Sequence, residues 1–142
     1  MRVAIPSFAK INVGLRIGTT RTDGFHELRT VYQTVALHDT LRLSMTRGSG
    51  IEIYCQNPQV PTDSTNTCFR TVSLAMQSLK TGGRVVIEIE KKLPVQGGLG
   101  GASGNAVAAL VALERATGKQ LTPAAKLGIA AQVGSKIGRA HV

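Results

Sequence analysis

The chain has 142 residues, enough for one hydrophobic core and too few for two domains of ordinary size. Its 42% hydrophobic and 18% charged residues exclude disorder by composition, and its longest apolar run, Ala106 to Leu113, is far short of the roughly 20 residues of a membrane span. Seventeen Lys and Arg against 8 acidic residues give a charge of +9, which favours an anionic partner, either nucleic acid or a phosphorylated metabolite.

The basic residues are scattered from Arg2 to Arg139, and 2 Tyr with 3 Phe offer few platforms for base stacking, so a basic nucleic-acid-binding module is the weaker alternative. Cys55 and Cys68 are the only cysteines and no apolar leader follows Met1. A reduced, cytoplasmic protein with two structural thiols is expected. His26, His38 and His141 show no ligand spacing, so no protein-built zinc site is expected.

In chain order, Ser7 to Ile17 alternates, with Ala9, Ile11 and Val13 on one face and Lys10 and Asn12 on the other, as in a half-buried strand. Thr19 to Gly24 is a polar turn and His26 to Leu37 is β-prone. Thr40 to Met45 and Ile51 to Cys55 alternate around Gly48-Ser49-Gly50, which predicts an antiparallel pair. Phe69, Val72, Ala75, Met76 and Leu79 recur at helical spacing, and Gly82-Gly83 is expected to end that helix. Arg84 to Leu93 reads as a strand with Val85, Ile87 and Ile89 inward. It feeds a glycine-dense loop, Pro94 to Asn105, followed by an alanine-rich helix, Ala106 to Thr117. Thr122-Pro123 then suits the cap and first turn of a last helix to about Val133. Segregated strands and helices predict an α+β fold.

A glycine-dense loop between a strand and a helix suits phosphate, because glycine lets the backbone come close and the helix start offers unpaired N–H donors. Gly97, Gly98, Gly100 and Gly101 fit that role, and Ser103 is placed to give a hydroxyl to phosphate or to a phosphate-bound Mg²⁺. No Lys-Ser or Lys-Thr follows the loop, which excludes the Walker pattern, and Ser103 stands where the dinucleotide pattern needs a third glycine. Taken alone, Lys10 reads as a surface lysine, Asp23-Gly24-Phe25-His26 as a turn and Tyr32 as a core or rim residue.

The combination of Pro6-Ser7-Phe8-Ala9-Lys10-Ile11-Asn12-Val13, Arg21-Thr22-Asp23-Gly24-Phe25-His26-Glu27-Leu28 and Leu93-Pro94 through Asn105-Ala106 resembles the GHMP kinase superfamily. Within it, the Ala-Lys-Ile-Asn and Asp-Gly-Phe-His segments resemble the 4-diphosphocytidyl-2-C-methyl-D-erythritol kinases of isoprenoid biosynthesis. The resemblance implies a GHMP N-terminal domain, a strand meander with helices on one face, over residues 1–135. It implies ATP-dependent phosphorylation of the 2-hydroxyl of a cytidine-diphosphate substrate, with Mg²⁺ accompanying ATP. It makes Lys10 the catalytic lysine and Pro94, Val95, Gln96, Gly97, Gly98, Leu99, Gly100, Gly101, Ala102, Ser103 and Gly104 the ATP-phosphate loop. Asn66 falls near the adenine, and Asn12, Phe25, His26 and Tyr32 on the cytidine side. Phe25 stands where tyrosine is common, and Gln96, Ala102 and Gly104 where Gly, Gly and Ser are frequent. Other GHMP kinases, acting on mevalonate or homoserine, are the nearer alternative.

The resemblance also implies an aspartate, the catalytic base, where Lys136 stands, and a second domain beyond it. Ile137-Gly138-Arg139-Ala140-His141-Val142 is at the same time a translation of a widely used sequencing adapter. Residues 136–142 are therefore expected to be a non-native tail, and the chain an N-terminal fragment without kinase activity of its own.

Overall fold

The computed structural model of the chain describes residues 2–20, 26–95 and 101–141, and their side chains except those of residues 10–20, 26–35 and 134–141. Strands β1 (Arg2–Thr20) and β2 (His26–Thr46) pair antiparallel from Arg2 with Ser44 to Thr20 with His26. Register shifts interrupt the ladder between Phe8 and Lys10, Asn12 and Leu15, and Ile17 and Thr20. The two β-prone segments expected after residue 26 are thus one continuous strand, since every stretch of it finds a partner along β1.

Beyond β2 come β3 (Ile51–Cys55), helix α1 (Thr67–Leu79), β4 (Arg84–Glu90), α2 (Gly101–Thr117) and α3 (Pro123–His141). The four strands make one sheet in the order β1-β2-β4-β3, with β4 antiparallel to β2 and parallel to β3. The hairpin expected between Thr40–Met45 and Ile51–Cys55 therefore does not form, because β4 lies between the two strands. Two causes are visible. Gly48 adopts a φ of +129°, outside the values of a tight two-residue turn, and the Gly50 carbonyl accepts from Val85 N–H at 2.9 Å, which draws β3 onto β4. The inward row of β4, Val85, Ile87 and Ile89, is also fully apolar and buried, which suits a central strand flanked on both edges.

Inward residues alternate with outward ones along each strand. Ile5, Leu41, Leu43, Ile53, Val85, Ile87 and Ile89 meet Val72 and Ala75 of α1, Ala108, Ala109, Ala112 and Leu113 of α2, and Ile129 and Val133 of α3. The small alanines of α2 let that helix lie close to β1 and β2. The helices cover one face. The other carries a lattice of charge, with Arg2 on Glu88 at 2.8 Å, Arg42 on Glu90 at 3.1 Å and Arg84 on Glu52 at 2.6 Å.

Helix α1 ends on Lys80 in the left-handed conformation at φ 52°, before the Gly82-Gly83 pair expected to stop it. Its N-cap is Asn66, whose side chain accepts from Cys68 N–H at 2.8 Å, the arrangement a helix start favours. Thr122 Oγ1 likewise accepts from Ala125 N–H at 3.1 Å at the start of α3. Helix α3 runs on to His141, past the end expected near Val133.

Inward and outward positions of β4 carry different energetic weight. Ile87→Ala should lower unfolding free energy by about 2–5 kcal/mol, the range for a cavity in a packed core, and Val86→Ala on the outer face by about 1 kcal/mol or less. Urea denaturation of the two variants checks the difference.

Candidate functional site

Strand β4 leaves the sheet at Glu90, Lys91 to Val95 follow, and α2 begins at Gly101. Gln96, Gly97, Gly98, Leu99 and Gly100 lie outside the described residues. Pro94 is exposed and Val95 half-buried at the entry to the loop. Gly101, Ala102, Ser103 and Gly104, expected in the loop, form instead the first turn of α2. Packing explains the difference. A Cβ added at Gly101 would stand 2.8 Å from Lys91 Nζ, and one at Gly104 would stand 2.7 Å from Ser7 Oγ. Glycine admits the helix into this corner despite its low helix propensity.

The first-turn N–H groups of a helix lack intrahelical acceptors and form its positive end. No acidic residue occupies the first turn of α2 or of α1, so neither end is neutralised locally. The two starts lie side by side, with Thr67 Oγ1 donating to Ala102 O at 3.3 Å. Ser103 is half-buried in that corner.

Beneath the corner is a cluster of buried polar groups. Asp39, 0% exposed, is an inward residue of β2. Its Oδ2 accepts from Lys91 Nζ at 2.6 Å, and its Oδ1 accepts from Lys92 N–H at 2.7 Å and Leu93 N–H at 2.8 Å. Lys91's side chain is only 5% exposed. Asn105, with its amide turned to donate, reaches Ser7 Oγ at 3.1 Å, Asp39 Oδ2 at 3.2 Å and Gly101 O at 3.3 Å. The cluster thus joins β1, β2, the exit of β4 and the first turns of α2. Sequence reasoning missed it, because Asp39 and Lys91 are 52 residues apart and each alone reads as a polar residue near an element end.

Cys68 lies near this ion pair and is fully buried. Burial pushes its thiol up from an ordinary 9.0 to about 12, outweighing the opposing field of Lys91. Among the described residues no group of three or more His, Cys, Asp or Glu could hold a metal ion. An open depression lined by Arg47, Gly48, Thr81, Gly83 and Thr117 lies at the other end of β4.

The remaining expected site residues are placed by backbone alone or by structural roles. Lys10 pairs with Thr34, Asn12 with Tyr32 and His26 with Thr20 on the β1–β2 ladder, and their side chains lie outside the description. Phe25 is outside the described residues, and Lys136 is in α3. Asn66 is buried, its amide donating to Pro61 O at 2.7 Å while its oxygen caps α1.

Residues 66–141 match the family described as GHMP kinases N terminal domain, and the chain belongs to that family. Within it, the chain is 43% identical over 129 residues to the 4-diphosphocytidyl-2-C-methyl-D-erythritol kinase of Acaryochloris marina (strain MBIC 11017), across 91% of this chain and 42% of that protein. The kinase of the same description from Solibacter usitatus (strain Ellin6076) is 40% identical over 134 residues, 92% of this chain and 41% of that one. A crystal structure of 4-(cytidine 5'-diphospho)-2C-methyl-D-erythritol kinase superposes with a TM-score of 0.76 at 30% identity, over 92% of this chain and 46% of that chain. Methanococcus jannaschii mevalonate kinase shares the fold, with a TM-score of 0.69 at 17% identity, over 96% of this chain and 47% of that chain. The chain spans less than half the length of these relatives.

Three measurements check the corner. Gly104→Ala should destabilise by about 1–3 kcal/mol, the usual cost of overpacking, read by thermal or urea unfolding. At pH 8, iodoacetamide should modify the half-buried Cys55 and leave Cys68 unmodified until the chain is denatured. Because Cys68's folded pKa is raised, its contribution to stability is complete below pH 9.0 and is lost between 9.0 and about 12. Cys68→Val should flatten the fall of stability across that window.

Proposed function

We propose that this chain is the nucleotide-binding half of a cytoplasmic kinase that moves the terminal phosphoryl group of ATP to the 2-hydroxyl of 4-diphosphocytidyl-2-C-methyl-D-erythritol, a step in isoprenoid precursor synthesis. The observation that carries this reading is the glycine-dense corner between β4 and α2. Its helix start has no local acid, and it stands over a saturated ion pair in a chain similar to kinases of that description.

In this reading Pro94 to Gly104 holds the phosphates by backbone N–H groups, and the Ser103 hydroxyl adds one more donor. Phosphoryl transfer depends on positioning and charge stabilisation, which a rigid corner of this kind favours. Lys91 is committed to Asp39, and the resemblance assigns the cation for the transferred group to Lys10. Asn12 and Tyr32 are cross-strand partners, with His26 further along the same ladder. That proximity supports one substrate side built from Asn12, Phe25, His26 and Tyr32. Asn66 is assigned to the adenine side, where its cap fixes the start of α1 beside that of α2.

Mg²⁺ fits this donor set only as a companion of the nucleotide. The corner offers the hydroxyls of Ser103 and Thr67, and Asp39 already has four donors. When bound with ATP, Mg²⁺ would neutralise phosphate charge. Ser103 is the residue assigned to reach it.

The test is a chimaera of residues 1–135 with the C-terminal half of the Acaryochloris marina relative, supplied with ATP, Mg²⁺ and the cytidine-diphosphate alcohol. Phosphorylation of that alcohol, and not of mevalonate or homoserine, is the expected outcome, and the reverse preference contradicts the proposal. Lys10→Ala should lower kcat by about 10²-fold or more, the scale for one electrostatic group. Turnover should also rise when the full 142-residue chain in such a chimaera carries Lys136→Asp, since a carboxylate can accept the hydroxyl proton that an ammonium cannot.

A further inference from the structure

We propose that Asp39 is a positioning residue that clamps both ends of the glycine-dense loop. A carboxylate has about four lone-pair sites, and all are used: Oδ1 by Lys92 N–H and Leu93 N–H, Oδ2 by Lys91 Nζ and the Asn105 amide. No acceptor site is left for a metal or a substrate hydroxyl, which gives Asp39 a positioning role. Three of its donors come from the chain that enters the loop and the fourth from the helix that leaves it. One buried group therefore sets the distance between the loop's ends.

The same contacts place a charge. Lys91 Nζ lies 2.8 Å from where a Gly101 Cβ would stand, so an ammonium sits against the positive end of α2, an unfavourable placement by itself. Asp39 offsets it. The nucleotide-side consequence rests on the phosphate-binding reading above, whereas the clamp does not.

Removing Asp39 alone would strand a buried cation and risk unfolding, so the pair is replaced together. Asp39→Leu with Lys91→Met removes charge and clamp in one step. Asp39→Asn with Lys91→Met removes the charge and keeps an amide oxygen for Lys92 and Leu93 N–H, while Asn105 can turn its own oxygen to the new donor. Hydrogen exchange of the amides of Lys92, Leu93 and residues 101–104 should quicken at least about tenfold in the first variant and return to within about threefold of the parent in the second, with Val85 to Glu90 unchanged in both. MgATP affinity, by calorimetry, should follow the same order. Equal exchange in all three chains overturns the clamp, as does acceleration spread evenly over β4, which marks a contribution to stability alone. If the parent chain binds no MgATP, the phosphate-binding reading falls and the exchange comparison still decides the clamp.

Discussion

A carboxylate taken fully out of water must be matched by donors where it lies, and the position of Asp39 obliges several elements to meet. Its neighbours on β2, Leu41 and Leu43, are core residues. The alternation that buries them also turns Asp39 inward at the end of the sheet. The backbone beyond β4 is bent back so that Lys92 and Leu93 N–H point at it, and Lys91 is drawn across the mouth of α2. Breaking one such partnership leaves an uncompensated charge at a cost of about 3–5 kcal/mol. The two glycines of the first turn answer the same constraint, since any side chain at 101 or 104 would press on Lys91 or Ser7.

The one-sided sheet is the frame for this corner. Helices α1 and α2 run from adjacent starts, linked by Thr67 and Ala102, so two positive helix ends with no acidic residue in either first turn converge on the same region. At the opposite end of the sheet, the depression beside Gly48 and Gly83 has no comparable convergence. Function in this fold is thus expected where strands hand over to helices, in accord with membership of the GHMP kinases.

Local signals were legible and distant pairings were not. The apolar spacing of Phe69, Val72, Ala75 and Met76 marks α1, and Thr122-Pro123 marks the start of α3, because both depend on residues a turn apart. The Thr40–Met45 and Ile51–Cys55 strands were also legible, yet their pairing was not: Gly48 and Gly50 look like a hairpin turn, and only the tertiary demand of Val85, Ile87 and Ile89 for a central position sends β4 between them. Gly101 to Gly104 reads as loop by propensity and is helix by packing. The Asp39 cluster left no local trace, since its members come from β1, β2, the β4 exit and α2. Lys10, Asn12, Phe25, His26, Tyr32 and Asn66 were singled out by resemblance rather than by physics. For Asn66 the visible chemistry is a helix cap.

We propose that the corner between β4 and α2, held on Asp39, is the phosphate site of this chain. Backbone amide spectra of the isotope-labelled protein, titrated with MgATP, test it most directly. The account predicts saturable shifts at residues 94–104 with smaller ones at Asn66 and Thr67. Shifts centred on Arg47, Thr81 and Thr117, on the charged outer face of the sheet, or nowhere, would contradict it.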